Sequence, residues 1–302
     1  MTIRQADESD LPALHALLSA SLDLDRFSKS LLAEKLFRNP RPAELEWRTW
    51  VAESRANITG MLQSVIDRRR KKAYVGLFAV DATQRRRGIA TALLDHARRD
   101  WAAGVVEGEV LAIPGNYFTP GLDPRYTAAL SFLERRGFER FKDCVNLRAD
   151  LAAAFDTRDD EARLAGEGVE IRRATIADSP LLDAYFGEHF GDDWRLEAGL
   201  ALAERPSALH LAVRAGRMIA FSAHSTQNRE WGFFGPMGTA PECRGLGIGR
   251  VLLRLCLNDL RHAGHKTAVI PWVGPIAFYQ QWCGARVERV FWRYRLNATT
   301  AR

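Results

Sequence analysis

The sequence predicts an α+β protein built twice: two consecutive domains, each a mixed, mostly antiparallel sheet with flanking helices. Three observations carry this. The opening of the chain recurs halfway along, a glycine turn leading into an amphipathic helix occurs once in each half, and each half closes on a helix, a glycine and an aromatic-rich strand. A length of 302 residues also suits two cores of roughly 150 residues each better than one.

"IRQADESDLPALHALL" from Ile3 and "IRRATIADSPLLDAYF" from Ile171 align without a gap. They match at Ile3/Ile171, Arg4/Arg172, Ala6/Ala174, Asp10/Asp178, Pro12/Pro180 and Leu14/Leu182, and each reads as a short strand, a polar turn and a helix. Further on, the strand-like "AYVGLFAV" leads into "TQRRRGIATALLDHARRDW", and "EWGFFGPMGT" leads into "ECRGLGIGRVLLRLCLNDLRHAG". Arg85, Gly88 and Ala90 fall in the places of Arg244, Gly247 and Gly249. In the second helix Ile248, Val251, Leu252, Leu255, Cys256 and Leu260 keep helical spacing, while Arg250, Arg254, Asn258 and Arg261 point away.

The closing segments are "ALSFLERRGFERF" and "AFYQQWCGARVERVFWRYRL", with a glycine at Gly137 or Gly284 between helix and strand. In "RVFWRYRL", Val290, Trp292 and Tyr294 alternate with Phe291, Arg293 and Arg295, which predicts a strand packed mainly on one face. Between the copies, "DTRDDEARLAGEG" from Asp156 to Gly168 offers little to bury and reads as a linker. The expected domains are therefore residues 1–155 and 169–302. The first half alone carries "IPGNYFTPGLDPRY", a segment that suits a substrate entrance, a rigid connector or a surface for the other half.

Hydrophobic residues at 47% and charged residues at 26% are ordinary globular values and exclude a collagen, coiled-coil or disordered chain. No apolar run approaches the roughly 18 residues of a membrane span, and "MTIRQADESD" is too acidic for a secretory signal, so a cytoplasmic location is expected. Cys144, Cys243, Cys256 and Cys283 have neither disulfide-framework nor zinc spacing, and no metal is expected. A net charge of +6 suits phosphorylated partners but does not by itself call for nucleic acid.

Strand, glycine turn and helix in succession aim main-chain N–H groups and the positive end of the helix dipole at one point, the geometry of a phosphate site. The competing reading is that the glycines only make a tight turn. A nucleotide P-loop would need Gly-Lys-Ser or Gly-Lys-Thr, which neither turn has, and a dinucleotide fingerprint would need a glycine where Arg250 stands. What both turns fit is R-x-x-G-x-G/A, as "RRRGIA" from Arg85 and "RGLGIG" from Arg244. On these residues, and on strand-helix openings and closings shared by both halves, the chain resembles the GNAT superfamily of N-acetyltransferases in a tandem, two-domain form.

The resemblance implies two GNAT-like domains, each with a pair of parallel strands that splay apart to admit acetyl-CoA. The cofactor positions it implies in the second half are Met237, Gly238 and Thr239 on the strand and Arg244, Gly245, Leu246, Gly247, Ile248, Gly249 and Arg250 on the turn. In the first half they are Phe78 and Val80, then Arg85, Arg86, Arg87, Gly88, Ala90 and Thr91. The superfamily often protonates the departing thiolate with a tyrosine on the following helix. Tyr279 fits that role, although it stands five residues before Gly284 where four is usual, and packing is the competing role. The first half has Leu133 instead, so the second half is expected to be catalytic and the first degenerate. Glu230 and His224 are the candidates for the base, each also readable as ordinary surface or turn chemistry. The expected reaction moves an acetyl group to a primary amine of a small molecule or peptide. The alternative is a non-catalytic acyl-CoA sensor or scaffold.

Overall fold

The matched arginines and aspartates of the two openings form the same joint twice. In a computed structural model that describes residues 1–41, 43–102 and 104–298, β1 (Thr2–Gln5) leads through a 3-10 turn to α1 (Leu11–Ser21), and β7 (Val169–Arg173) leads likewise to α6 (Ser179–Glu188). Arg4 clamps Asp10 with two bonds of 2.7 Å, and Asp10 also accepts the main-chain N–H of Asp7. Arg172 grips Asp178 at 2.8 and 2.7 Å, and Asp178 accepts the N–H of Thr175. Pro12 and Pro180 then sit in the first turn of their helices, where no N–H is needed.

The chain divides into two compact units, Met1–Cys144 with Val290–Arg302 and Val145–Arg289. In unit 1 the chain continues through α2 (Lys29–Phe37), β2 (Leu45–Ser54), β3 (Asn57–Asp67), β4 (Lys72–Val80), α3 (Ile89–Trp101), β5 (Glu107–Val110) and α4 (Thr127–Arg135) to β6 (Glu139–Asp150). Strands β1 to β4 pair antiparallel in chain order, and β5 joins β4 parallel. The stripe Ile89, Leu93, Leu94, Ala97 and Trp101 seats α3 on this sheet.

Before β7, residues Arg158–Gly166 form a helix, α5, where the sequence reads as a linker. Its acidic first turn favours the helix start, and Leu164 anchors it in the core. Unit 2 then runs through α6, α7 (Asp192–Ala203), β8 (Leu209–Arg214), β9 (Arg217–His224), β10 (Phe234–Thr239), α8 (Ile248–His262), β11 (Thr267–Ile270) and α9 (Ile276–Cys283) to β12 (Arg286–Asn297). Strands β7 to β10 are antiparallel neighbours, and α8 packs its apolar stripe on them. Both units are thus mixed α/β folds of the same plan.

The ends of the repeats are exchanged. Leu147 to Asp150 of β6 pair with β11 in unit 2, whereas Arg295 to Asn297 of β12 pair with β5 in unit 1. Each of these 12-residue strands is divided by the unit boundary, β6 after Cys144 and β12 before Val290. The compact units therefore differ from the sequence segments 1–155 and 169–302 at both ends. Strand β12 also departs from one-faced packing, because Phe291 and Tyr294, from opposite sides, are both fully buried. The segment "IPGNYFTPGLDPRY" is largely buried in unit 1. Its Asn116 accepts from Lys35 Nζ at 2.6 Å and donates to the carbonyls of Glu34 and Arg38, so it is tied to α2.

Candidate active site

Each glycine turn follows its strand through a single 3-10 turn, Ala82–Gln84 after β4 and Pro241–Cys243 after β10. The helix caps Gly88 and Gly247 share one left-handed geometry, φ 81° and ψ 0°, which costs an L side chain roughly 1–2 kcal/mol. Two residues earlier Gly245 has φ 86° and Arg86, in the same place, φ 65°. The backbone path is common to both copies although one of them must force an arginine into it. The arginine that opens each motif pins the turn to its strand, Arg85 Nε donating to Val80 O (3.2 Å) and Arg244 Nε to Thr239 O (3.4 Å).

The helix ladders begin with Ala92 N–H on Gly88 O and Val251 N–H on Gly247 O. The preceding amides, Arg86 to Thr91 and Gly245 to Arg250, have no acceptor among the described residues. Such a run of open donors at a helix start fits a diphosphate. In unit 1, Arg85 to Gly88 are exposed and Thr91 Oγ1 accepts from Arg136. In unit 2, Arg244 and Gly245 are exposed while Leu246 and Gly247 are half-buried.

Beside each turn the parallel strands part. β4 and β5 stay in register from Lys72/Glu107 to Val75/Val110, and Leu111 N–H still reaches Val75 O before the chain turns away. In unit 2 the parallel contact is the bridge Phe233–Val269, and β10 begins only after it. Both strands carry a register shift against their antiparallel neighbour, between Leu62 and Ser64 for β4 and between Phe234 and Met237 for β10.

The two shifts differ in what fills them. Gln63 Oε1 accepts the Leu77 N–H (3.3 Å), and a Cβ at Gly76 would lie 2.1 Å from that oxygen. The Gln63 amide donates to Lys35 O at 2.6 Å, which fixes it there. By register the counterpart of Gln63 is Ala223, buried and too short to reach the strand opposite. The first unit's shift is thus plugged by its own side chain and the second's is not plugged from that position.

Tyr279 lies on α9 in the apolar cluster of Phe234, Leu253, Cys256 and Leu257, with Met237 and Phe278 packed against it. Burial pushes its phenol pKa up, so it stays protonated. Its hydroxyl has no hydrogen-bond partner among the described residues and is not fully buried. The spacing problem resolves at the helix end. Unit 1 closes α4 with Phe138 N–H on Leu133 O (3.1 Å) beside left-handed Gly137, and unit 2 closes α9 with Ala285 N–H on Tyr279 O (3.4 Å) beside left-handed Gly284. Tyr279 therefore stands where Leu133 stands, and the extra residue is absorbed within the last turn.

The two base candidates are placed apart. His224 ends β9, opposite Phe234 in register, with Nε2 3.3 Å from Asp259 Oδ2 and Nδ1 3.0 Å from Ser225 Oγ. Glu230 is exposed on a 3-10 turn, Arg229–Trp231, and so lies before the strand and not at its start. Asp259, on α8, also binds His210 Nε2 and Arg173 Nη2, each at 2.7 Å. Burial alone would raise the Asp259 pKa, but the bonds from His210, His224 and Arg173 outweigh it and hold the carboxyl far below its usual range.

The sequence reading missed this cluster. A signal was present: the alignment that sets Arg85 on Arg244 also sets Asp100 on Asp259, and Asp259 falls on the buried stripe seven residues after Leu252. A carboxylate there requires a partner. Cys243 lies buried beneath the turn with Arg214 Nη2 3.4 Å from its sulfur, and all four cysteines are free. Among the described residues there is no cluster able to hold a metal and no helix long and apolar enough to cross a membrane.

A doubled fold with a parting strand pair and an amide-lined turn in each copy is the arrangement that the sequence resemblance implies. Comparison with protein families agrees: residues 46–140 match an acetyltransferase (GNAT) domain and residues 174–285 match the acetyltransferase (GNAT) family, together more than two thirds of the chain. The chain belongs to the GNAT acetyltransferases and carries two GNAT domains in tandem.

Among solved structures it is similar to the GCN5-related glucosamine N-acetyltransferase region of a fungal multi-domain GH3 β-N-acetylglucosaminidase, with TM-score 0.81 and 18% identity over 98% of this chain and 38% of that one. It is similar also to a tandem GNAT protein of the clavulanic acid biosynthesis pathway (TM-score 0.72, 17% identity, 98% of each chain). A third likeness is the GCN5-related N-acetyltransferase of Sphaerobacter thermophilus (TM-score 0.71, 17% identity, 98% of this chain and 95% of that one). At such identities these likenesses concern the fold. No curated protein sequence matches the chain.

Proposed function

We propose that unit 2 transfers an acetyl group from acetyl-CoA to a primary amine of a small molecule or peptide, and that unit 1 is a degenerate copy whose turn still binds the nucleotide. The observation that carries this reading is the open row of amides from Gly245 to Arg250 beside a strand parted from its parallel neighbour, with the protonated Tyr279 in the adjoining wall. Those amides would hold the diphosphate, and the main chain of Met237 to Thr239 would carry the pantetheine arm.

His224, one strand away from Phe234 and oriented by Asp259, would take the proton from the incoming ammonium, directly or through the Ser225 hydroxyl. The neutral amine then forms the new C–N bond as the C–S bond breaks, and the surplus proton on the acylated nitrogen leaves to solvent. Tyr279 would give its proton to the departing thiolate and recover one from solvent. Glu230, exposed and off the strand, is the weaker placement for the base.

Unit 1 keeps the turn residues Arg85 to Thr91 and the strand residues Phe78 and Val80, but Gln63 occupies its strand shift and Leu133 replaces the proton donor. Binding without turnover suits that half. The test is release of CoA thiol from acetyl-CoA across a panel of primary amines. Turnover with at least one amine is expected, and tight CoA binding with no transfer to any amine would leave a sensor or scaffold as the function.

A further inference from the structure

Helix α5 belongs to neither repeat, yet it is docked along the helix that follows the second glycine turn. Phe155 and Asn258 exchange two bonds of 2.8 Å, Arg254 Nη1 donates to Asp156 O (3.2 Å), and Leu164 is buried with Ile248 and Val251. This docking carries the far end of α5 to the turn itself. There Arg163 Nη2 donates to Leu246 O at 2.9 Å and lies 3.0 Å from where a Cβ on Gly247 would be, while Asp160 pairs with Arg250. Arg163 Nη1 is held in turn by Glu167 Oε1 at 2.6 Å.

A guanidinium has five N–H donors, and the bonds to Leu246 and Glu167 leave the remainder without a protein acceptor among the described residues. The side chain is thus held, charged and half-exposed, beside Leu246 and Gly247 of the turn. Among the described residues nothing lies within 4 Å of the corresponding position on Gly88, so no guanidinium stands at that place in the first turn.

Resting on the acetyl-CoA reading of unit 2, we propose that Arg163 is a ligand for the cofactor diphosphate, supplied to the second site from outside the repeated fold. A fork of donors already oriented by its neighbours loses little freedom on meeting a diphosphate, and charge-assisted bonds of this kind are the strong ones.

The test is calorimetric titration of the full chain carrying Gly88→Val, which strains the first turn so that the second is read alone. This parent should bind CoA and 3′-dephospho-CoA one to one. Adding Arg163→Ala should weaken both by about tenfold, and Arg163→Lys should recover part of the loss because the charge remains while the fork is gone. Unchanged affinity in the alanine chain overturns the proposal. Tighter binding also overturns it and makes α5 a cover over the turn. A loss confined to CoA moves the contact to the 3′-phosphate and overturns the diphosphate assignment. A parent that binds neither nucleotide overturns the acetyl-CoA reading, and this proposal with it.

Discussion

Asp178 shows how much one side chain fixes at the residue scale. It caps the turn before α6 through Thr175 and takes both arms of Arg172, and the hydrogen bonds from Arg172 lower its pKa from 3.8 to about 2. A carboxylate depressed in the folded state stabilises above its unfolded pKa and loses that contribution as pH falls through the folded value. Asp178→Ala should therefore cost about 1 kcal/mol in urea unfolding at neutral pH, with the gap to wild type closing as pH drops from 3.8 to about 2. Tyr279 carries a chemical prediction instead. Tyr279→Phe keeps the ring in its apolar cluster and should lower kcat by about a hundredfold, leaving the KM for acetyl-CoA and the melting temperature near wild type. Full turnover in that variant would dismiss the proton-donor role.

At the scale of elements, the two turns share a backbone but differ in surroundings. Gly88 and Gly247 both have φ 81°, and only Gly247 has a neighbour, Arg163 Nη2, within reach of an added Cβ at 3.0 Å. Valine at either place suffers the backbone strain, on the order of 1–3 kcal/mol. At Gly247 it must also displace the guanidinium and its bond to Leu246. Thermal melts should therefore show Gly247→Val more destabilising than Gly88→Val, and equal losses would mean that α5 gives way without cost. Helix α5 itself was illegible because its apolar content is slight: Leu164 is its one buried residue, and charge alone does not distinguish a docked helix from a solvated linker.

At the scale of the molecule, the exchanged strand ends decide what can fold with what. Tyr294 and Leu296, near the end of the chain, are core residues of unit 1, and Tyr294 Oη donates to Glu134 at 2.8 Å. Removing residues 290–302 should consequently release amide protection in β4 and β5 of unit 1, far earlier in the chain, while leaving β8 and β9 protected in hydrogen exchange. Loss of protection confined to unit 2 would contradict the division. For the same reason the segments 1–155 and 169–302 expressed separately should each lack a strand, β12 in one case and the end of β6 in the other.

The sequence alone determined whatever is local and repeated: the strand-turn-helix openings, the two left-handed caps, the motif arginines and the substitution of Leu133 for Tyr279. Short-range geometry writes these into residue type, since glycine, proline and a capping carboxylate each satisfy a need within a few residues. Tertiary structure alone decided which strand each closing strand pairs with, that Gln63 occupies the Leu77 amide, that Asp259 gathers His210, His224 and Arg173, and that Arg163 reaches the second turn. These pairings join residues from 14 to more than 180 positions apart. They are set by packing and by the need of buried polar groups for partners, which no local pattern records.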